Sequence, residues 1–191
     1  MPFRKSSISS DEFHDGDHRY EHWYRDNTVY FLTARCRGKT HAFQSEEAKA
    51  IFWDRLLHWA QHYGFVLWVV SLLDNHYHLV GYLKNGENLG DFMRRFHGSV
   101  AKLVNDLLPE KLAPFWYDSG KQGYWDGCLR NEKQGRKSYR YTLLQAVEAG
   151  IVKDYRDYPH TRIFIEVERA IRRANELNVW LEDVPYKRYQ Q

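Results

Sequence analysis

Hydrophobic and polar positions change period several times along the chain, and the changes divide it into elements. Residues 1–27 are polar and aperiodic and read as an irregular arm. His14, His18 and His22 there could mimic a helical ligand stripe, but Gly16 and the nearby acids favour a loop. Thr28 to Arg37 (TVYFLTARCR) alternates as a strand should, and Gly38-Lys39-Thr40 makes a turn. From Ser45 the period becomes helical. Ser45 caps, Glu46 and Glu47 occupy the first turn, and Ala48, Phe52, Leu56, Trp59 and Tyr63 share a face up to Gly64. Phe65–Leu72 is a buried strand, Asp74-Asn75 supplies a turn, and His76–Leu83 returns as the second arm of an antiparallel hairpin.

A second amphipathic helix spans Leu89 to Leu108, with Leu89, Phe92 or Met93, Phe96, Val100, Leu103 or Val104, and Leu107 on its stripe, and Pro109 and Pro114 end it. Strand character returns near Tyr124-Trp125. A helix follows from Ser138 to Ala149 and stops at Gly150; Ile151-Val152 start a short strand; Thr161 to Leu177 is a third long helix; and residues 185–191 form a polar tail. Strand–helix–strand–strand–helix–strand is the order of an α+β, ferredoxin-like domain, an antiparallel sheet with two helices on one face. The expected division is an arm over 1–27, a domain over 28–160, and a C-terminal helix and tail over 161–191.

Composition narrows the picture. At 191 residues and 23.0 kDa the chain can bury one core, and it lacks any apolar run near the roughly 20 residues a membrane helix needs. There is no apolar stretch in the first twenty residues to suggest a secretory signal, and a membrane partner is not expected. Two cysteines without zinc-site spacing, Cys36 and Cys128, fit a reducing cytoplasm. A formal charge of +3 decides little, but its distribution does more. Residues 129–140 hold five basic side chains (Arg130, Lys133, Arg136, Lys137, Arg140) against one acid, and Arg94 and Arg95 add to them on a helix. Basic residues interleaved with abundant aromatics suit single-stranded nucleic acid. A solvated basic loop beside an aromatic core is the competing reading.

Two places carry chemistry. His76 and His78 stand two apart on a strand and so project from the same face, as a metal-binding pair does, or as surface histidines paired with carboxylates do. Tyr141 and Gln145 are four apart on a helix and share a face. A tyrosine hydroxyl is a weak nucleophile at its ordinary pKa of about 10, and a metal beside a target phosphate offsets that weakness. Gln145 offers a neutral oxygen that could complete a site begun by the imidazoles. Without the histidine pair, both would pass as ordinary helix residues.

Taken together, Asn75-His76-Tyr77-His78-Leu79, the strand around Tyr124-Trp125-Asp126, the helix Arg140-Tyr141 to Gly150-Ile151-Val152, and Asp157-Tyr158-Pro159 resemble the single-tyrosine HUH transposases. Among these, the chain is most similar to the REP-associated tyrosine transposases, over about Tyr20 to Arg162. The resemblance implies that His76, His78 and Gln145 bind a divalent metal, Mg²⁺ or Mn²⁺. It also implies that Tyr141 attacks hairpin-bearing single-stranded DNA to leave a 5′-phosphotyrosine and a free 3′-hydroxyl, as an endonuclease and strand transferase. Arg130, Lys133, Arg136, Lys137 and Arg140, in a loop leading into the nucleophile helix, are expected to contact phosphates, with Arg94 and Arg95. Two positions depart from the family: Gln145-Ala146 stands in place of Asn-Pro, and Asp74 in place of a proline. Two rivals stay open, a non-catalytic hairpin-binding protein of the same fold and a metal-dependent RNA-processing nuclease. Pairing with a second copy is also open.

Overall fold

Strand β1 (Thr28–Arg35) is buried along seven of its eight residues, because it lies mid-sheet with helices over both faces. It belongs to a computed structural model that describes residues 24–117 and 123–180. Most of the arm, including His14, His18 and His22, and the tail over 185–191 lie outside the described residues. Helix α1 (Glu46–Tyr63) follows; Ser45 accepts the Ala48 N–H at 3.1 Å, and Gly64 ends the helix at φ 70°. Strands β2 (Phe65–Leu72) and β3 (His76–Leu83) pair as the expected hairpin, then come helix α2 (Asn88–Asn105) and strand β4 (Trp125–Leu129).

The sheet is antiparallel throughout, in the order β4-β1-β3-β2-β5, where β5 is Thr161–Ile163. Helices α1 and α2 cover one face through Phe52, Leu56, Phe92 and Phe96, against Tyr77 and Leu79. The second face is covered by α3 (Glu132–Leu143) and α5 (Val167–Glu176), through Tyr139, Ala170, Ile171 and Ala174 against Val29, Phe31 and Val80. This is the α+β architecture expected from the chain. Among the described residues no helix is long and apolar enough to cross a membrane.

Three local expectations are corrected. Thr161–Leu177 is not one helix: Thr161, Ile163 and Ile165 carry a two-residue β-branched alternation that the helical reading overrode. The open edge of β2 takes up that segment, pairing Val69 with Ile163 and Ser71 with Thr161. Nor does the nucleophile helix begin at Ser138. Asn131 accepts from Gln134 N (2.9 Å) and Gln134 Oε1 accepts from Arg130 N (2.8 Å), a capping arrangement that starts α3 at Glu132. It breaks at Leu144 before a short α4 (Gln145–Glu148). Ile151 and Val152 form no strand, since Gly150 at φ 72° turns their N–H groups back to the Ala146 carbonyl.

Candidate active site

Alternation along β3 sends Tyr77 and Leu79 into the α1–α2 core and presents His76 and His78 on the opposite face. His78 has 0% of its surface exposed, stacks on Phe31 (5.8 Å between centroids, 3° between planes), and meets Tyr141 edge-on at 5.2 Å. His76 sits at the rim, half-buried, with its ring 5.1 Å from that of His78. Its Nδ1 lies 2.6 Å from Asn75 Oδ1, and Asn75 Nδ2 donates to the Lys39 carbonyl at 3.2 Å. Asn75 thus fixes the ring as the Nδ1–H tautomer and leaves Nε2 as the basic nitrogen. The turn before it is pinned: buried Lys49 pairs with Asp74 at 3.2 Å, and the Asp74 carbonyl accepts the Phe43 N–H.

Helix α3 aims Tyr141. Gly135 lies so near Ile171 and Trp180 that a Cβ there would come within 2.9 Å of the indole, which allows α3 to seat closely beside α5. Tyr139 is buried and its hydroxyl donates to the Ile165 carbonyl at 3.0 Å. Tyr141, about 200° further around the helix, is half-buried against His78 and Phe31. The break at Leu144 (φ −91°, ψ 3°) brings in Gln145, whose Nε2 donates to the Tyr141 carbonyl at 3.0 Å and to Glu148 Oε2 at 3.4 Å. With the amide nitrogen so engaged, the oxygen is the end left to face the imidazoles and the Tyr141 hydroxyl, and Gln145 bears on the titration of all three. Four side chains expected from sequence to act together are therefore brought together.

Burial sets the electrostatics. It pushes His78 well below the usual imidazole range, with His76 adding to the shift, and lowers His76, helped by the Arg35 guanidinium; Gln145 opposes both shifts. Both rings are neutral near pH 7, the form in which imidazole ligates. Burial also raises the Tyr141 hydroxyl, Gln145 lowers it, and Glu148 raises it further. The phenol is therefore protonated at rest and needs help to attack.

Among the described residues no group of three or more His, Cys, Asp or Glu could hold a metal. Any ion here rests on two imidazoles and an amide, a neutral set that suits Mn²⁺ or a well-hydrated Mg²⁺ completed by phosphate oxygens and water. The donor set fits such an ion.

The basic residues divide. Lys133, Lys137 and Arg140 form one exposed stripe along α3 that runs toward Tyr141. They lie on the helix itself, not on a loop before it. Arg136 is turned the other way and held by Glu132 (2.8 Å) and Glu168 (2.5 Å), tying α3 to α5. Arg130 stands before the helix, its N–H on Gln134. Arg94 and Arg95 belong to α2, on the opposite face of the sheet from the histidines, where Arg94 pairs with Asp91 at 2.7 Å and Arg95 sits over Trp59. That position removes them from this site. Arg35 and Glu148 were not anticipated, although alternation from Phe31 through Thr33 places Arg35 on the histidine face.

No family model matches the chain, and no curated protein matches it in sequence. Among solved structures, a REP-associated tyrosine transposase bound to a REP hairpin superposes with a TM-score of 0.64 at 18% identity, over 90% of this chain and 98% of that one. A "putative transposase" from Deinococcus radiodurans R1 matches at a TM-score of 0.42 and 16% identity, over 68% of this chain and 95% of that one. The fold of this chain is that of the first neighbour, in agreement with the resemblance read from its motifs.

Proposed function

We propose that this chain is a single-tyrosine transposase that cleaves and rejoins single-stranded DNA beside a hairpin. One observation carries the reading: Tyr141, Gln145, His76 and His78, from two helices and a strand, meet at one half-buried place on the sheet. In the fold-sharing neighbour the bound partner is a REP hairpin. The exposed Lys133, Lys137 and Arg140 stripe gives this chain a route for a strand to approach Tyr141.

The Tyr141 oxygen attacks the scissile phosphorus; its bond to phosphorus forms as the bond to the 3′ oxygen breaks, and the phenolic proton leaves to solvent. The leaving oxygen takes a proton to become a free 3′-hydroxyl, and the 5′ side remains as a phosphotyrosine. Because one ester replaces another, attack by a second 3′-hydroxyl rejoins strands without ATP. A divalent ion, Mg²⁺ or Mn²⁺, held by His76, His78 and Gln145 would neutralise phosphate charge and stabilise the developing oxyanion. Asn75 keeps His76 in its ligating tautomer, and Phe31 and Trp125 fix the floor beneath His78 and Tyr141.

The test is a denaturing gel with labelled hairpin-bearing single-stranded DNA and Mn²⁺. The wild-type protein should carry label covalently and Tyr141→Phe should carry none. Hairpin binding with no adduct would instead favour a non-catalytic binding protein of the same fold. Cleavage that requires a 2′-hydroxyl and leaves no adduct would favour an RNA-processing nuclease.

A further inference from the structure

On the strand-transferase reading above, we infer that Arg35, braced on Tyr117, binds the scissile phosphate. The register of the sheet places Arg35 beside His76 on the histidine face. One row across the histidine face runs Trp125, Thr33, His78, and the next carries Arg35 beside His76. Ala34 and Cys36 pack into the α1–α2 core, so Arg35 between them projects from the histidine face. The segment after α2 completes the row: Trp116 bridges to Cys36 and packs in the same core, and the Tyr117 N–H donates to the Arg35 carbonyl at 2.6 Å. Tyr117 is thereby set on the face of Arg35, and the guanidinium lies 4.6 Å from its ring centroid.

Two features point to a phosphate. No carboxylate among the described residues pairs with Arg35, whereas Arg55, Arg94, Arg136, Arg156 and Arg173 each hold one. An unneutralised guanidinium beside His76 brings positive charge to the histidine face, and its fork matches phosphate oxygens. Stacking on Tyr117 restrains the fork before substrate arrives, which lowers the ordering cost of binding. Tyr117 is 44% exposed, so its ring is also open to the strand.

Neutralising the phosphate tests this. Adduct formation is followed in single turnover at saturating protein with Mn²⁺, on an ordinary hairpin oligonucleotide and on one with a methylphosphonate at the scissile position. Arg35→Ala should slow the ordinary substrate about a hundredfold, the size expected for removing a charged donor from a transferring group. Arg35→Lys should lose less, and Tyr117→Leu about twofold to fivefold, the worth of an exposed cation–π contact. On the methylphosphonate, Arg35→Ala and wild type should react within about threefold of each other, because there is no charge left to neutralise, and hairpin affinity should change little. Arg35→Ala reacting at the wild-type rate, or a defect equally large on both substrates, overturns the inference alone. If wild type itself forms no adduct, the strand-transferase reading falls and this inference with it.

Discussion

Each face of the sheet buries a histidine against a tyrosine. On the α1–α2 face, His97 Nε2 lies 2.8 Å from the Tyr77 hydroxyl and its ring stacks on Trp116 at 4.2 Å. On the other face, His78 meets Tyr141 edge to ring, with a second imidazole and an amide oxygen within reach. The first arrangement closes on itself, since donor and acceptor are consumed by each other beneath two long helices. The second gathers two imidazoles and a phenol where the cover of the sheet is incomplete, so His76 and Tyr141 stay half-exposed. Residue type does not separate structure from chemistry here; what separates them is whether the cluster is enclosed or opens to solvent.

The largest test of that contrast exchanges the two histidines' fates. His78→Ala should lower adduct formation at least a hundredfold while the protein stays folded. His97→Ala should leave adduct formation per folded molecule near wild type but destabilise the protein by about 1–3 kcal/mol, because the Tyr77 hydroxyl loses its buried partner. Urea unfolding and the gel assay on both variants check this, and a structural loss from His78→Ala matching that of His97→Ala would erase the distinction.

Acid should act on both faces. Burial lowers His78 and also His160, whose Nδ1 accepts from Trp53 Nε1 at 3.1 Å while Nε2 faces Glu46. A histidine depressed by folding binds its proton more readily when unfolded, so its stabilisation is complete above the unfolded value near 6.5 and is lost as pH falls below it. With chelator present, the urea midpoint should fall between pH 7 and 5. His160→Gln should make that decline shallower, by at most about 1.4 kcal/mol per pH unit for one proton. A flat midpoint over this range would contradict the assignment of neutral buried rings.

The smallest expected effects separate the charges of α3. Lys137→Ala should reduce the salt dependence of single-strand binding by about 0.7 in slope, one phosphate contact. Arg136→Ala should leave the slope unchanged and lower the urea midpoint only slightly, because the ion pair it removes is exposed. Equal slope changes for both would mean that Arg136 leaves Glu168 for DNA.

Much of this organisation was legible in the chain. The β2–β3 hairpin and the two helices of the closed face carry long, regular apolar periods, and the His-x-His spacing fixed which imidazoles share a face, whereas Gln145 reaches Tyr141 across the break at Leu144. What was not legible depended on neighbours far along the chain. Thr161–Ile163 carries a short β-branched alternation, but what makes it a strand is the unpaired edge of β2, which the local sequence does not show. Arg136 is diverted by Glu168, 32 residues away, and Arg94 lies on the wrong face because α2 packs on α1. The start of α3 was readable from Asn131 and Gln134 as a capping pair, and Arg35 from strand alternation.

The central claim is that Tyr141 forms the covalent bond to DNA, and peptide mapping of the adduct tests it most directly. Tryptic cleavage after Arg140 and Lys153 separates Tyr141, on the peptide 141–153, from Tyr139, on 138–140. After nuclease trimming of the DNA, mass spectrometry should find the nucleotide mass on peptide 141–153, localised to Tyr141. Finding it on 138–140, on any other peptide, or on none would contradict the account.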